Sequence, residues 1–380
     1  MQPNFGMQHW LRRPSFWAVV LASVLSQVPI IAEETAPIYS LSQLSLATYT
    51  LYIVVPTITA AAAWEASRFR AMRGMGLQVL MKIFYTRILG WAIAQPINFW
   101  LALIVLGANT NIVQDAYFWL FSAYVAVAAL CWVVIGFVLG FILRPIVAVA
   151  LAILLPYSWY ALIPALPPGP WNIVAGEFIL CCSLSTTIDL RAFAVASCGI
   201  LTLALFGMAM LAVVRRNKGL SLSLGVPGLA LGVLSATWSA QIPEFAFLER
   251  NAAEMQCTEE VCAWPEVSEQ NVELNAQAYR LWSDIAPSEW QHYTDTPVQW
   301  KQPSPEYLAF SGAETVAGVL GDFVDQATSH DMYQNGIALC GYFLQADDAF
   351  QSGEPWDPAT PITIEQAQDR LQRAVCPPEA

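Results

Sequence analysis

The sequence of 380 residues is poor in charged and catalytic side chains, and each shortage excludes a class of function. Only 12% of the residues are charged, and histidine occurs three times. Because no G-x-x-x-x-G-K-[ST] segment is present, the chain cannot itself bind ATP through that loop. HExxH, G-x-S-x-G and a Ser/His/Asp order are missing too, which argues against an enzyme. The net charge of −12 argues against nucleic acid as a partner.

Charge is scarcest in seven apolar stretches, each close to the roughly 20 residues that a helix needs to cross a bilayer. None has an ionisable residue in its central part, which weighs against proton-coupled transport and against an intramembrane hydrolase. The pattern predicts an all-α polytopic domain in the lipid bilayer. Its expected spans are 16–34, 44–63, 88–107, 117–143, 146–166, 192–214 and 221–240.

The charge that is present divides the chain into two parts. Of the 17 Lys and Arg and the 29 Asp and Glu, residues 1–241 hold 12 and 6, which leaves 5 and 23 for residues 242–380. A basic and apolar part is typical of a transmembrane domain, and an acidic part without long apolar runs is typical of a domain in water. We therefore predict a transmembrane domain over 1–241 and an acidic domain over 242–380.

Basic residues fall in alternate connections between the expected spans, and short cytoplasmic connections are enriched in them. This predicts a cytoplasmic amino terminus, an extracytoplasmic carboxyl-terminal domain and a place in the plasma membrane. Span 7 is rich in small residues, and its failure to cross would leave the tail in the cytoplasm. The basic residues concerned are Arg12, Arg13, Arg68, Arg70, Arg73, Lys82, Arg87, Arg144, Arg215, Arg216 and Lys218.

The first apolar stretch also has features of a secretory signal peptide. Arg12 and Arg13 precede the apolar core, and Ala32 lies near its end. The core is long, however, and lacks a clean A-x-A cleavage site. We therefore expect a retained transmembrane helix.

Four cysteines in the tail support an oxidising compartment, because an even number can form two disulfides there. Proximity in sequence favours one bridge between Cys257 and Cys262 and another between Cys340 and Cys376. Four cysteines allow three connectivities, and reduced, buried cysteines are the alternative.

The tail is expected to be mainly helical. Ser304, Pro305 and Glu306 have the order of a helix start, and Thr363 with Gln366 resembles a capping box. Glu289 and His292 share a helical spacing but lack the further ligands that zinc requires, so no metal is expected. An outer-facing hydrolase is therefore the weakest of the functions considered.

The connection between spans 2 and 3, from Trp64 to Gly90, is the most informative basic segment. A short helix there would place Phe69 and Met72 on one side and the arginines Arg68, Arg70 and Arg73 elsewhere. One interpretation is an interfacial helix held by anionic lipid. The other is a docking helix for a cytoplasmic partner.

This layout resembles the permease subunits of ABC-2-type ATP-binding cassette transporters, particularly actinobacterial members with an added outer domain. The resemblance covers residues 1 to about 216 and includes the HWLRRPSFW segment, the basic helix after span 2 and a long connection before span 6. It implies a short re-entrant element over Trp171–Ser183. Six-span members normally end inside, whereas this chain adds a seventh span and the acidic domain. The coupling helix implied by the resemblance comprises Glu65, Arg68, Phe69, Arg70 and Arg73.

The resemblance implies a permease without a cofactor of its own. A separate cytoplasmic ABC ATPase would bind ATP and Mg, and a second copy of this chain or a similar permease would complete the pathway. The uncharged spans suit a hydrophobic or amphipathic cargo, and export follows from family analogy alone. The alternative is a membrane-anchored receptor or scaffold whose outer domain binds a ligand or partner.

Overall fold

The computed structural model describes residues 13–32, 39–70, 77–108, 110–167, 169–176, 178, 181–182, 186–243, 246–258, 261–285, 298–299 and 319. Within these residues, seven helical segments are long and apolar enough to cross a membrane. The prediction of a mostly helical, multi-pass type of fold with seven apolar helices of spanning length is thereby confirmed. The spans are Pro14–Ile31, Ser40–Ser67, Phe84–Val105, Ala116–Ile142, Pro145–Leu162, Leu190–Val214 and Lys218–Ser239, numbered 1 to 7 below.

The first three spans are irregular, whereas the later spans are mostly continuous α-helix. Span 1 consists of α1 (Pro14–Leu25) and α2 (Val28–Ile31). Span 2 consists of α3 (Ser40–Ala47), a 3₁₀ turn (Thr48–Thr50) and α4 (Leu51–Ser67). Helix α5 (Leu77–Ile83) precedes span 3, which has a π segment (Phe84–Ile88), a 3₁₀ segment (Leu89–Ile93) and α6 (Ala94–Val105).

A 3₁₀ turn (Thr110–Gln114) leads to α7 (Ala116–Ile142), which forms span 4. Span 5 combines α8 (Pro145–Tyr157) with a π segment (Ser158–Leu162) and is followed by the short helix α9 (Pro170–Ala175). Helices α10 (Leu190–Val214) and α11 (Lys218–Ser239) form spans 6 and 7.

Polar side chains next to the apolar runs set where several spans begin. Asp115 accepts a hydrogen bond from the backbone N–H of Tyr117 at 2.9 Å, and Asp189 accepts one from that of Arg191 at 2.9 Å. Asn217 does the same for the N–H of Leu220 at 3.0 Å. These caps satisfy N–H groups that have no partner inside the helix.

Spans 2 and 4 form the centre of the membrane domain, and two glycines let them approach closely. A Cβ atom added to Gly140 would lie 2.8 Å from Ala63 Cα, and one added to Gly136 would lie 3.2 Å from Ala62 Cβ. Small residues four apart on one helix face commonly allow such contact between transmembrane helices. Span 2 also packs on span 5, and spans 6 and 7 pack along each other.

The chain divides into two compact units, Met1–Glu249 and Arg250–Ala380. The first unit extends past residue 241 because β2 (Phe247–Glu249) pairs antiparallel with β1 (Thr186–Ile188), the strand that precedes span 6. These strands were not predicted.

The described part of the second unit contains a small sheet and one helix. Strand β3 (Gln256–Cys257) pairs antiparallel with β4 (Val261–Ala263), which pairs in parallel with β5 (Val298–Gln299). A 3₁₀ turn (Ala252–Glu254) precedes the sheet, and α12 (Glu269–Ile285) follows β4. The predicted helices at Ser304 and Thr363 lie outside the described residues.

Candidate functional site

The basic segment after span 2 is fixed to the membrane domain by a buried carboxylate. The Glu65 side chain is only 4% exposed and lies in the last turn of α4. Its Oε1 accepts a hydrogen bond from the Ser15 hydroxyl at 3.1 Å, and its Oε2 lies 3.8 Å from Arg13 Nη1. Both partners lie at the start of span 1, so Glu65 joins the start of span 1 to the end of span 2.

Arg13 lies in a strongly basic environment. Burial lowers the pKa of its guanidinium, Glu65 opposes that shift, and the neighbouring charges of Arg87 and Arg68 lower the pKa further. Arg13 and Arg68 thus both lie 3.8 Å from the Glu65 carboxylate, and Arg87 of span 3 lies near enough to affect Arg13. Because like charges repel one another, the Glu65 carboxylate is needed to hold these arginines close together.

Arg68 is more accessible than Arg13, since its side chain is about half exposed at 48%. Its Nη1 is 3.8 Å from Glu65 Oε2, and its guanidinium lies 5.8 Å from the ring centroid of Trp64. Arg68 therefore connects the buried carboxylate to the surface.

The chain turns at Arg68 and Phe69. Their backbone N–H groups bond to the carbonyls of Glu65 and Ala66, three residues back, which closes α4 with a tight turn. This part of the predicted short helix is thus the end of span 2. Phe69 and Arg70 are partly exposed. Arg73 lies outside the described residues.

The predicted coupling residues therefore differ in accessibility. Arg68, Phe69 and Arg70 form an accessible edge, whereas Glu65 lies beneath it and holds spans 1 and 2 together. Arg13 and Ser15 were not predicted as partners of Glu65. Their separation of 50 residues from Glu65 explains this, since no local pattern signals so distant a contact.

The long connection between spans 5 and 6 begins with α9 and packs through aromatic side chains. The Tyr124 hydroxyl donates a hydrogen bond to the Ala175 carbonyl at 3.3 Å, and Gly176 ends α9 in a left-handed conformation at φ 74°. The Phe178 ring contacts Tyr124 and Phe193 with centroid distances of 5.2 and 4.7 Å. Part of the predicted element over Trp171–Ser183 is thus a short helix seated on spans 4 and 6.

The same connection contacts span 2. The hydroxyls of Ser42 and Ser45 donate hydrogen bonds to the carbonyls of Cys182 and Cys181. Residues 168, 177, 179–180 and 183–185 of the connection lie outside the described part. Whether the element re-enters a membrane stays a prediction.

The tail cysteines are described in part. Cys257 and Cys262 face each other across β3 and β4 with Cα atoms 4.0 Å apart, which is close enough for a disulfide. Cys340 and Cys376 lie outside the described residues, as do His292, His330 and His9. Among the residues that are described, no group of three or more His, Cys, Asp or Glu side chains is arranged to hold a metal ion.

A second polar group lies deep among the spans and was not predicted. Gln95 and Asn98 of span 3 are 0% and 2% exposed. Gln95 Nε2 donates to the Thr50 hydroxyl of span 2 at 2.8 Å, and Asn98 Nδ2 donates to the Ser23 hydroxyl of span 1 at 2.9 Å. Such amides carry no charge, so the charge pattern of the sequence does not reveal them. Asn and Gln inside an apolar run nevertheless indicate a buried polar contact.

Comparison of the chain with protein-family models, with curated proteins and with solved structures finds no match.

Proposed function

We propose that this chain is the membrane-spanning permease subunit of an ATP-driven ABC-2-type exporter, and that it docks a separate cytoplasmic ATPase at the turn after span 2. The observation that carries the proposal is the anchoring of this turn by Glu65. Force applied at Arg68 and Phe69 reaches span 2 through the helix itself, and it reaches span 1 through Ser15 and Arg13. A coupling element requires such a stiff connection between a motor and the spans that it moves.

In this proposal the coupling residues have two roles. Phe69 supplies the apolar contact and Arg70 and Arg73 supply charge, while Arg68 and the buried Glu65 hold the turn in position. The ATPase binds ATP and Mg, and this chain requires no cofactor. Coupling works only if the ATPase states bind the permease conformations with different affinity.

We further propose that the amino terminus is cytoplasmic and that the second unit is extracytoplasmic, at the plasma membrane. Basic connections on one side support this orientation. The adjacency of Cys257 and Cys262 across two strands supports a disulfide there, and the Cys340–Cys376 bridge stays a proposal from the sequence. Two permeases, identical or similar, would flank the pathway for a hydrophobic or amphipathic cargo.

The central experiment is affinity purification of the chain from its native membranes in mild detergent, with identification of any co-purified ATP-binding cassette ATPase by mass spectrometry. Wild-type chain should recover the ATPase in stoichiometric amount. The pair Phe69→Ala with Arg70→Glu should reduce recovery at least about tenfold, since a charge reversal and a lost aromatic remove both contact types.

Lys218→Glu is the matched control, because it reverses one exposed charge in another basic connection. It should leave recovery unchanged. Equal recovery with the Phe69 and Arg70 variants would refute the docking site. Absence of any ATPase with the wild-type chain would favour the receptor or scaffold instead.

A further inference from the structure

The side-chain amides of spans 1 and 3 leave three buried oxygen atoms without a hydrogen-bond donor among the described residues. The atoms concerned are all acceptors: Gln27 Oε1, Gln95 Oε1 and Asn98 Oδ1 receive no hydrogen bond from the described residues. A buried carbonyl oxygen without a donor costs free energy, and the bilayer core offers no water to compensate. We call Gln27, Gln95 and Asn98, with Ser23, Ser26 and Thr50, the amide cluster.

The orientation of these amides follows from their partners. The Ser23 hydroxyl donates to the Val19 carbonyl at 2.8 Å, and the Thr50 hydroxyl donates to the Ala47 carbonyl at 2.9 Å. Since each hydroxyl has one proton, it can only accept from the neighbouring amide. The amide nitrogens therefore face the hydroxyls, and the amide oxygens are the atoms left without a donor.

Gln27 belongs to the same group. Its Nε2 lies 3.3 Å from the Ser26 hydroxyl and 3.4 Å from the Asn98 backbone carbonyl, so it bridges span 1 to span 3. Gln95 and Asn98 are three residues apart on α6 and thus lie on one face of that helix.

Three helices lose regular α geometry at this cluster. Span 1 is interrupted at Ser26 and Gln27, beside Pro29, and span 2 has its 3₁₀ turn ending at Thr50. Span 3 changes from 3₁₀ to α geometry immediately before Gln95, beside Pro96. Irregular backbone at membrane depth is tolerated where it is enclosed by protein or lines a polar cavity, and interrupted helices often form transporter binding sites.

The chemistry of the cluster selects its occupant. The described hydrogen-bond partners of the cluster include no charged side chain, so a bound cation would lack a counter-charge in a medium of low dielectric. Neutral acceptors in a buried site favour a neutral donor.

We propose that the amide cluster is a binding subsite for the hydroxyl or amide N–H group of an uncharged amphipathic ligand. The ligand's role as cargo rests on the function proposed above. The ligand donates to the amide oxygens while its apolar part lies among the surrounding aliphatic and aromatic side chains.

The test uses the purified full-length chain in lipid nanodiscs with two isomeric probes, 1-decanol and methyl nonyl ether. The two have the same atoms and similar apolarity, but only the alcohol donates a hydrogen bond. The melting temperature of the protein should be higher with the alcohol than with the ether by about 3 °C or more. Equal shifts would overturn the proposal, and this comparison requires no variant to fold.

Variants then locate the effect. Gln95→Leu and Asn98→Leu should each abolish the difference between alcohol and ether without lowering the melting temperature of the ligand-free protein, because each removes an unsatisfied acceptor. Ser235→Ala is the control, since it removes a buried hydroxyl that donates to the Val195 carbonyl between spans 6 and 7. It should preserve the difference.

Three further results would contradict the subsite. Persistence of the alcohol effect in both leucine variants would place it elsewhere. Stabilisation by NaCl over choline chloride, lost in those variants, would show a cation site. A higher melting temperature in the leucine variants, with no alcohol effect in the wild type, would show a site for water alone. None of these assays involves an ATPase, so they are independent of the docking experiment.

Discussion

At the residue scale, the contact between spans 2 and 4 depends on side chains that are absent. Gly140 lies against the backbone of Ala63, where a methyl group would be 2.8 Å from the Cα atom. The Ala63 Cα is a backbone atom and cannot move aside as the end of a flexible side chain could. The helices themselves must therefore separate to admit a methyl group.

Gly140→Ala should therefore destabilise the protein by about 1–3 kcal/mol, as overpacking in a well-packed core does. Thermal unfolding in detergent measures the loss. Gly207→Ala is the matched control, because its new methyl group would have no neighbour closer than 3.8 Å. A Gly140→Ala protein as stable as the control would show that spans 2 and 4 are not in close contact.

Asp189 supplies a pH-dependent contribution to stability. The hydrogen bond from the Arg191 side chain is the main cause of its lowered pKa, relative to an ordinary value of 3.8. A carboxyl with a lowered pKa in the folded state stabilises the fold above its ordinary pKa and loses that contribution as the pH falls through the lower one.

We expect the melting temperature of the wild type to decline below about pH 4, with part of that decline absent in Asp189→Asn. Asparagine also caps helices well, so the variant should lose little through the cap itself. Melting curves between about pH 2.5 and 5 provide the measurement. An identical decline in melting temperature at low pH for the two proteins would mean that Asp189 and Arg191 are not paired.

At the element scale, the predicted spans agree with the observed helices because each apolar run is long and bounded by polar or charged residues. The clearest difference is span 2, which was predicted to end at residue 63 and continues to Ser67. Glu65 lies in this extension. Hydropathy ends a span at the first charged residue, whereas burial beside Arg13 lets the helix continue.

Other elements could not be predicted from the local sequence pattern. Strands β1 and β2 have three residues each and pair across the whole of spans 6 and 7, so their partnership has no periodic signature. Helix α12 was not predicted although Ser268 accepts a hydrogen bond from the Asn271 N–H at 3.2 Å and Glu269 opens its first turn. Its apolar positions are sparse, and the cap alone was too weak a signal.

Pairing of β1 with β2 predicts a specific crosslink. Thr186 and Glu249 are opposite each other in the register, so Thr186→Cys with Glu249→Cys should form a disulfide on mild oxidation. Mass spectrometry of the linked peptides detects it. Thr186→Cys with Leu248→Cys is the control, because neighbouring strand residues point to opposite faces. Stronger linkage in the control would mean a different register.

At the scale of the whole molecule, seven spans require that the two ends of the membrane domain lie on opposite sides. Lys218 and Ala253 are both exposed and lie on either side of span 7. A cysteine at each position therefore reports which face of the membrane that segment occupies.

In intact cells, a membrane-impermeant maleimide should label Ala253→Cys but label Lys218→Cys only after lysis. The wild-type chain sets the background, and if Cys257 and Cys262 are bridged its labelling should rise after reduction. Labelling of Lys218→Cys alone before lysis would reverse the orientation. Labelling of neither position before lysis, with labelling of both after it, would mean that span 7 does not cross.

The strand pair β1–β2 has a consequence for membrane insertion. Strands β1 and β2 lie side by side, and the chain between them contains spans 6 and 7. An even number of crossings preserves the parity of the remaining chain. If spans 6 and 7 both cross or both fail to cross, β2 stays on the membrane face that β1 occupies; if span 7 alone fails, the two strands lie on opposite faces and cannot pair. Pairing of β1 with β2 therefore makes the insertion of span 7 depend on that of span 6, because the strands can meet only when the two helices behave alike.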